Sequence, residues 1–414
     1  MSTDTFAPAD TARGCPVALP TTRTDPFDPP PELAALRAEA PVTRVALPAG
    51  GWAWLVTRHA DVARLLRDER LSADPTRPGF PFVRPGLRAA ARQEHRAGQF
   101  LRMDAPEHGR LRRLLTGDFT LRAVRRLEPD IAGMIDALID GLQAGDGSAD
   151  LVAEFAFPLT SQVICRLLGV PYTDHEQFQG RSRELFSRRH SEADTARFAA
   201  QLQQYMGALV DAKAAAADPG DDVIGRLVRR HLRGGEVERD EIVGIALLLL
   251  VAGHETTANM IGMALLTLLA HPDQLERIRA DERLAEPAVE ELLRYHTIVH
   301  FGVPRVATAE LTVAGQVIRP GEGVLALLAA ANRDPAVFAD PDAFDPHREA
   351  RHHLAFGFGA HQCLGQQLAR AELRLALLGL VRRLPGLRLT VPARELAYRT
   401  DMATYGVHAL PVRW

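Results

Sequence analysis

Apolar residues recur at helical spacing through much of the chain. RLRRLLTGDF, EPDIAGMIDALIDGL and FAFPLTSQVICRLLGVP each place them three or four positions apart, which predicts helices between about Pro106 and Gly235. A longer apolar run extends from Asp240, a residue able to N-cap, to Ala270, where His271-Pro272 ends it. At 1.5 Å per residue that helix is ~45 Å long, enough to cross a domain. A helix is expected to start near Glu32. WAWLVTR (52–58) reads as a strand, and HADVARLLRD and PAVEELLRYH read as helices. RVATAELTVAGQVIRPGEGV breaks into short strands at Gly315, Pro320 and Gly321. LGQQLARAELRLALLGLVRRL is helical, and LRLT and VHALPVRW read as strand. The sum is a mainly α protein with small segregated β-sheets. Residues 27–414 read as a single domain. Residues 1–26, rich in Pro, Thr and Asp, read as a flexible N-terminal segment. The irregular stretch 74–100 carries Pro75, Pro78, Pro81 and Pro85, and long loops within a domain are often functional.

The long apolar helix is interrupted at VAGHETTAN, Val251–Asn259. His254 and Glu255 begin like the zinc-binding H-E-x-x-H, but Ala258 stands where the second histidine is required, so that reading fails. Gly253 loosens the helix there, and the Thr256 hydroxyl can bond back to the Ala252 carbonyl. Both would open room for a small ligand.

Composition narrows the classes. Hydrophobic residues make up 46% and charged residues 24%, which permits an ordinary large core. The net charge of −3 gives no global attraction to nucleic acid or membrane. Lys213 is the only lysine, so nearly all basic residues are arginine. Cys15, Cys165 and Cys363 are too few and too scattered for a disulfide framework, which points to a reducing cytoplasm. The N-terminus lacks a basic stretch followed by an apolar one, so no signal peptide is expected. The purely apolar run Ile245–Ala252 is short of the ~20 residues that a membrane span takes.

Three more constellations carry chemistry. In FGFGAHQCLGQQLARAEL, Cys363 follows a glycine-containing loop and precedes a helix. Glycines allow close approach to a flat ligand. Unpaired N–H groups at a helix start favour a thiolate, which is a known haem axial ligand. Cys165, in SQVICRLLGV, fits a small buried hydrophobe instead. In EELLR, Glu291 and Arg294 share a helix face and can pair, a weak signal alone. In APEHGRLRRLL, His108 and Arg112 offer donors from one face to an anion, and Arg305 and His361 are placed to join them.

In this order and spacing the constellations resemble the cytochrome P450 family, from about residue 27 to the end of the chain. AGHETT resembles the oxygen-binding segment of its central I helix, EELLR its E-x-x-R, and FDPHR (344–348) the meander that supplies Arg348. LAFGFGAHQCLG and MDAPEHGRLRRLL are most similar to the soluble actinobacterial branch, whose members tailor secondary metabolites or oxidise foreign compounds. The resemblance implies a haem-thiolate monooxygenase holding haem b. Cys363 would ligate the iron in a loop containing Gly357 and Gly365, with Phe356 packed near the thiolate. His108, Arg112, Arg305 and His361 would hold the propionates. Ala252 and Gly253 would leave room for oxygen, and Glu291, Arg294 and Arg348 would form a structural charge network. Thr256 would serve oxygen activation, with Glu255 relaying protons from solvent.

The resemblance also implies electrons from NAD(P)H through a reductase and a small acidic ferredoxin. The ferredoxin would dock on the face nearest Cys363, with Arg110, Arg113, Arg370 and Arg374 as candidate contacts. The substrate pocket would draw on residues 75–101, 178–192, Leu248–Thr256 and TIVHF. Phe82, Val83, Leu248, Ala252, Val299 and Met402 are its expected walls, which suit a mid-sized lipophilic molecule. Arg77, Arg84, Arg88, Arg92, Arg188, Arg189 and His190 are placed to draw an anionic substrate, although ordinary surface charge also accounts for them. A cytoplasmic monomer without nucleic-acid or membrane partners is expected. The competing readings are a peroxide-driven haem-thiolate peroxygenase, a non-catalytic haem-binding protein, and a zinc protein using His352, His353, His361 and Cys363.

Overall fold

The helical spacing resolves into helices that wrap one long central helix. The computed structural model describes residues 15–83, 97–174 and 192–414. The helices that matter for the site are α1 (Glu32–Glu39), α2 (His59–Leu65), α3 (Glu107–Thr116), α4 (Leu121–Gln143), α5 (Phe157–Leu168) and α6 (Glu192–Ala215), then α7 (Arg239–Ala270), α8 (Pro272–Ala280), α9 (Ala285–His296) and α10 (Gln366–Arg383). The long run is α7. Its N-cap is Glu238, two residues before the expected Asp240. Glu238 and Glu241 form a reciprocal capping box, and Asp240 lies in the first turn. His271-Pro272 closes α7 and opens α8, because proline is tolerated at a first helical position.

By length and composition α7 is apolar enough to cross a membrane, but most of it is buried in the core. It packs against α5, α6, α9 and α10, and α10 packs against α4. Helices on several sides explain why its apolar positions run all round rather than along one stripe.

The β part is small. Strands β1 (Val17–Ala18), β2 (Val42–Ala46), β3 (Trp52–Val56), β4 (Leu71–Ser72), β5 (Val303–Ala307) and β6 (Gly323–Ala326) form a sheet ordered β1-β2-β3-β6-β5-β4. Leu311–Val313 and Gln316–Ile318 pair as a hairpin. Arg388–Leu389, Pro411–Arg413 and Ser148–Asp150 make a third sheet. The sheet and the helical body have separate apolar clusters.

Part of the N-terminal segment departs from the expectation of flexibility. Val17 and Ala18 pair with β2, Leu19 is buried, and the Arg23 guanidinium lies 3.8 Å from the Tyr405 ring centroid. The Tyr405 hydroxyl donates to the Pro26 carbonyl at 3.0 Å. A strand pairing and a cation–π contact fix residues 15–26 to the body. Residues 1–14 lie outside the described residues.

Candidate active site

One cavity collects residues from α3, α5, α7, α9, β5 and the loop before α10. From α7 it is lined by Leu248, Leu249, Ala252, Gly253, Thr256, Thr257 and Met260, which recur at helical spacing on one face. Apart from the two threonines this face is apolar. The Thr256 hydroxyl donates to the Ala252 carbonyl at 2.6 Å, as its spacing predicts. Glu255 points elsewhere. Its carboxylate is fully buried, is not among the cavity-lining residues and pairs with Arg399. The Asn259 amide donates to the Glu255 carbonyl at 2.9 Å and to the Thr404 hydroxyl at 3.1 Å. His254 is buried against the Phe157 ring, 5.2 Å between centroids.

The cysteine loop supplies another wall, with Phe356, Gly357, His361, Cys363, Leu364 and Gly365 all on the cavity. Gly357 has φ +70, a left-handed conformation that favours glycine. The Cys363 N–H donates to the Phe356 carbonyl at 2.8 Å. The thiol is exposed to the cavity rather than to bulk solvent. Burial pushes it up from its ordinary range, while the Gly365 N–H, Arg112 and Arg370 pull it down.

Basic side chains converge beside this loop. His108 and His361 stand with ring centroids 3.9 Å apart, and both line the cavity with Arg112 and Arg305. Burial, then the neighbouring charges of Arg305, His108 and Arg112, push His361 down to about 3. Burial, then Arg112 and Arg305, lower His108. Burial lowers Arg305 to about 10. His108 Nε2 and His361 Nδ1 are buried without a hydrogen-bond partner among the described residues. Such a set suits an anion that would neutralise the charges and accept from the rings.

Away from the cavity, Glu291 and Arg294 are fully buried. The guanidinium grips both carboxylate oxygens at 2.7 Å. Arg348 reaches Glu291 at 3.2 Å, and Arg294 also donates to the carbonyls of Asn332 and Pro341.

A family model for cytochrome P450 matches residues 185–385. Cytochrome P450-SU2 of Streptomyces griseolus is 50% identical over 407 residues, covering 98% of this chain and 96% of that protein. Pentalenic acid synthase of Streptomyces avermitilis is 48% identical, covering 98% and 99%. The crystal structure of CYP105P1 in complex with filipin I superposes with a TM-score of 0.91 at 42% identity, covering 97% of this chain and 99% of that one. The chain is a cytochrome P450.

It has the fold of this haem-thiolate monooxygenase family, with α7 as the long central helix. The cavity suits the family's prosthetic group. A Cβ built at Gly357 or Gly365 would meet nothing within 4 Å, so both glycines leave space there. The thiol opens into the same space, and the unsatisfied histidine nitrogens provide for acidic substituents. Among the described residues no three His, Cys, Asp or Glu side chains group to hold a bare metal ion.

Several expected positions fall elsewhere in this P450. Leu248, Ala252 and Val299 line the cavity, but Phe82, Val83 and Met402 do not. Phe82 packs on Phe80, and Val83 lies against the apolar cluster around Leu19 and Leu33. Met402 is buried, with its sulfur 3.8 Å from the Arg399 guanidinium. Phe100 and Leu101, at the end of the expected stretch 75–101, and Ile298 in TIVHF supply apolar wall, while Val163 and Ile164 of α5 belong to no segment the sequence reading named. Arg77 pairs with Asp104 at 3.5 Å. Residues 178–191, with Arg188, Arg189 and His190, and Arg84, Arg88 and Arg92 lie outside the described residues.

Three of the candidate docking arginines also make pairs within the chain. Arg110 pairs with Glu107 at 2.9 Å and with Glu241, and Arg374 pairs with Glu128 at 2.8 Å. Arg370 grips Glu290 with two donors, at 2.5 and 3.1 Å. Internal carboxylates occupy all three, and Arg113 stays exposed. The sequence reading also missed Arg399, whose only available sign was a basic residue in the polar stretch before the last strand.

Proposed function

We propose that this P450 inserts one oxygen atom from O2 into a mid-sized lipophilic small molecule, an intermediate of secondary metabolism. Electrons would come from NAD(P)H through a reductase and a ferredoxin. The observation that carries the reading is the Cys363 thiol opening into an apolar cavity that also presents Thr256 and the small residues Ala252 and Gly253. CYP105P1 has been crystallised with filipin I, and another relative is a pentalenic acid synthase, so both deal in small organic molecules. Haem b held there supplies the activation and splitting of dioxygen, with a thiolate ligand favouring O–O cleavage.

The chain's residues have separable tasks. Cys363 ligates the iron from its loop. His108, Arg112, Arg305 and His361 bind the propionates and so orient the ring. Ala252 and Gly253 leave space for a diatomic molecule. The Thr256 hydroxyl holds a water on the cavity side of α7, which places a proton where it is needed. Glu255 serves Thr256 from behind, within the Arg399–Asn259–Thr404 cluster. It is fully buried, so the expected relay of protons from solvent would run through that cluster. Leu248, Val299, Ile164 and Leu101 exclude water around the substrate. The protein would act as a monomer in the cytoplasm.

The deciding experiment is the reduced carbon monoxide spectrum of the purified protein. The thiolate-type red-shifted Soret band is expected, with its loss in Cys363→His. Its absence from the wild type overturns the reading. Spin-state shifts with neutral compounds and their acid analogues would then identify the substrate class.

A further inference from the structure

A second buried charge pair lies beside the cysteine loop and stays outside the tasks assigned so far. Glu290 is the neighbour of Glu291 on α9, but it faces α10 rather than Arg294. It is 6% exposed, and its two oxygens receive Arg370 Nε at 2.5 Å and Nη2 at 3.1 Å. The same guanidinium stacks over Phe356, 4.6 Å from the ring centroid. His353 borders the pair. Its Nε2 stands 3.3 Å from Glu290, and its ring lies 5.8 Å from that of Phe356. His353 Nδ1 accepts the Ala355 N–H at 3.1 Å, which leaves Nε2 to carry the ring proton toward Glu290.

Phe356 links this clamp to the thiol, because its carbonyl accepts the Cys363 N–H at 2.8 Å and its side chain lines the cavity. Arg370 is close enough to pull the thiol down electrostatically. Burial alone would raise Glu290, but His353 and Arg370 outweigh it and hold the carboxyl down at about 2. A full positive charge, Arg370, therefore acts on the iron ligand, and a full negative charge, Glu290, is fixed directly against it. They lie in a partly desolvated site, where the effective dielectric is low and solvent screening is weak.

We propose that Glu290 and Arg370 are positioning residues that set the reduction potential of the haem iron through their opposed charges, with Arg370 acting across Phe356 on Cys363. The inference rests on the haem-thiolate reading above. The reaction concerned is the one-electron reduction of ferric to ferrous iron. A chemical reductant such as dithionite supplies the electron in titration, and no bond of the clamp forms or breaks. Reduction adds negative charge at the iron. A nearby cation favours it and a nearby anion opposes it.

The two single variants must then move the potential in opposite directions. In Glu290→Gln the guanidinium is no longer neutralised, and the midpoint potential shifts positive. In Arg370→Gln the carboxylate is left alone, and the potential shifts negative. The double variant returns close to wild type, and Arg370→Lys, which keeps the charge, stays near it. The test is a spectroelectrochemical titration with small mediators, so that ferredoxin docking plays no part. Each variant is first checked for the thiolate-type carbon monoxide band.

A role confined to packing would lower thermal stability and move both single variants the same way, or neither. Either result overturns the proposal. So does a shift in Arg370→Lys equal to that in Arg370→Gln, which would assign the effect to the guanidinium stack rather than to charge. If a Gln variant fails to fold, Glu290→Asp and Arg370→Lys still test it, because preserved charge predicts preserved potential. Loss of the thiolate band from the wild type would instead refute the haem-thiolate reading, so the two failures are distinguishable.

Discussion

Thr256 and Glu255 are adjacent in the chain but face different surroundings. Thr256 is on the cavity, while Glu255 is sealed behind it against Arg399. Positioned proton transfer contributes roughly 10²–10⁴-fold. In Thr256→Ala, therefore, reduced cofactor should still be consumed while product falls by about tenfold or more and peroxide rises relative to product. Unchanged coupling would show that substrate or another water does this work. Arg399 has a different signature. It is 3% exposed and its partner is fully buried, so removing it strands a charge. Breaking one side of a buried pair costs about 3–5 kcal/mol. Arg399→Gln should lose stability on that scale in urea denaturation. Glu255→Gln combined with Arg399→Gln should recover much of it, because neither side then carries a buried charge. Additive losses would mean that the pair contributes through packing alone.

At the scale of elements, the frame of the cavity depends on close backbone contact. Residues 97–99 lie on α7, with Gln99 Nε2 donating to the Gly244 carbonyl at 2.9 Å. A Cβ at Gly244 would stand 1.7 Å from the Ala97 carbonyl oxygen, and one at Gly98 would stand 2.0 Å from that of Glu241. Helix propensity alone would make Gly244→Ala stabilising by roughly 0.8–1 kcal/mol. The clash reverses the sign, since overpacking typically costs about 1–3 kcal/mol and backbone atoms cannot rotate away. Gly244→Ala should therefore lower the melting temperature and weaken ligand-induced Soret shifts, because Phe100 and Leu101 follow this contact into the cavity wall. A stabilised variant would refute the contact. Gly244 was legible only as part of an apolar run, since its neighbour across the contact comes from a distant loop. The same limit explains other omissions. Long helices announced themselves through spacing and caps. Ser148–Asp150 and Leu71–Ser72 are too short to alternate, and they exist as strands because Pro411–Arg413 and β5 pair with them. Cys363, Ala252 and Thr256 were readable because their chemistry lies in local motifs. Arg399 is 144 residues from Glu255, and no local pattern joins them.

At the scale of the whole molecule, α3, β5 and the cysteine loop bring Arg112, His108, Arg305 and His361 to one place. Folding without a bound anion must hold two arginine cations beside two histidines, and this makes stability depend on pH. His108 is buried, and burial with Arg112 and Arg305 lowers its folded value below the ordinary 6.5, against a small opposing pull from Asp104. A histidine lowered in the fold stays neutral there and takes up a proton on unfolding. Its contribution is fully present above pH 6.5 and is lost as pH falls toward the folded value, because the unfolded chain then binds more protons. One such group gives at most about 1.4 kcal/mol per pH unit. Haem-free protein should therefore lose denaturant stability between pH 6.5 and 5, and His108→Gln should reduce that slope by one group's share, with His361 and the buried His296, both also lowered, keeping the rest. In the haem-loaded protein the propionates place negative charge among the cations and hold the histidine proton more firmly. The wild-type slope should then shrink toward that of His108→Gln. Equal slopes for the haem-free and haem-loaded wild type would show that the cations do not meet the propionates, and the placement of the ring against α3 would have to be abandoned.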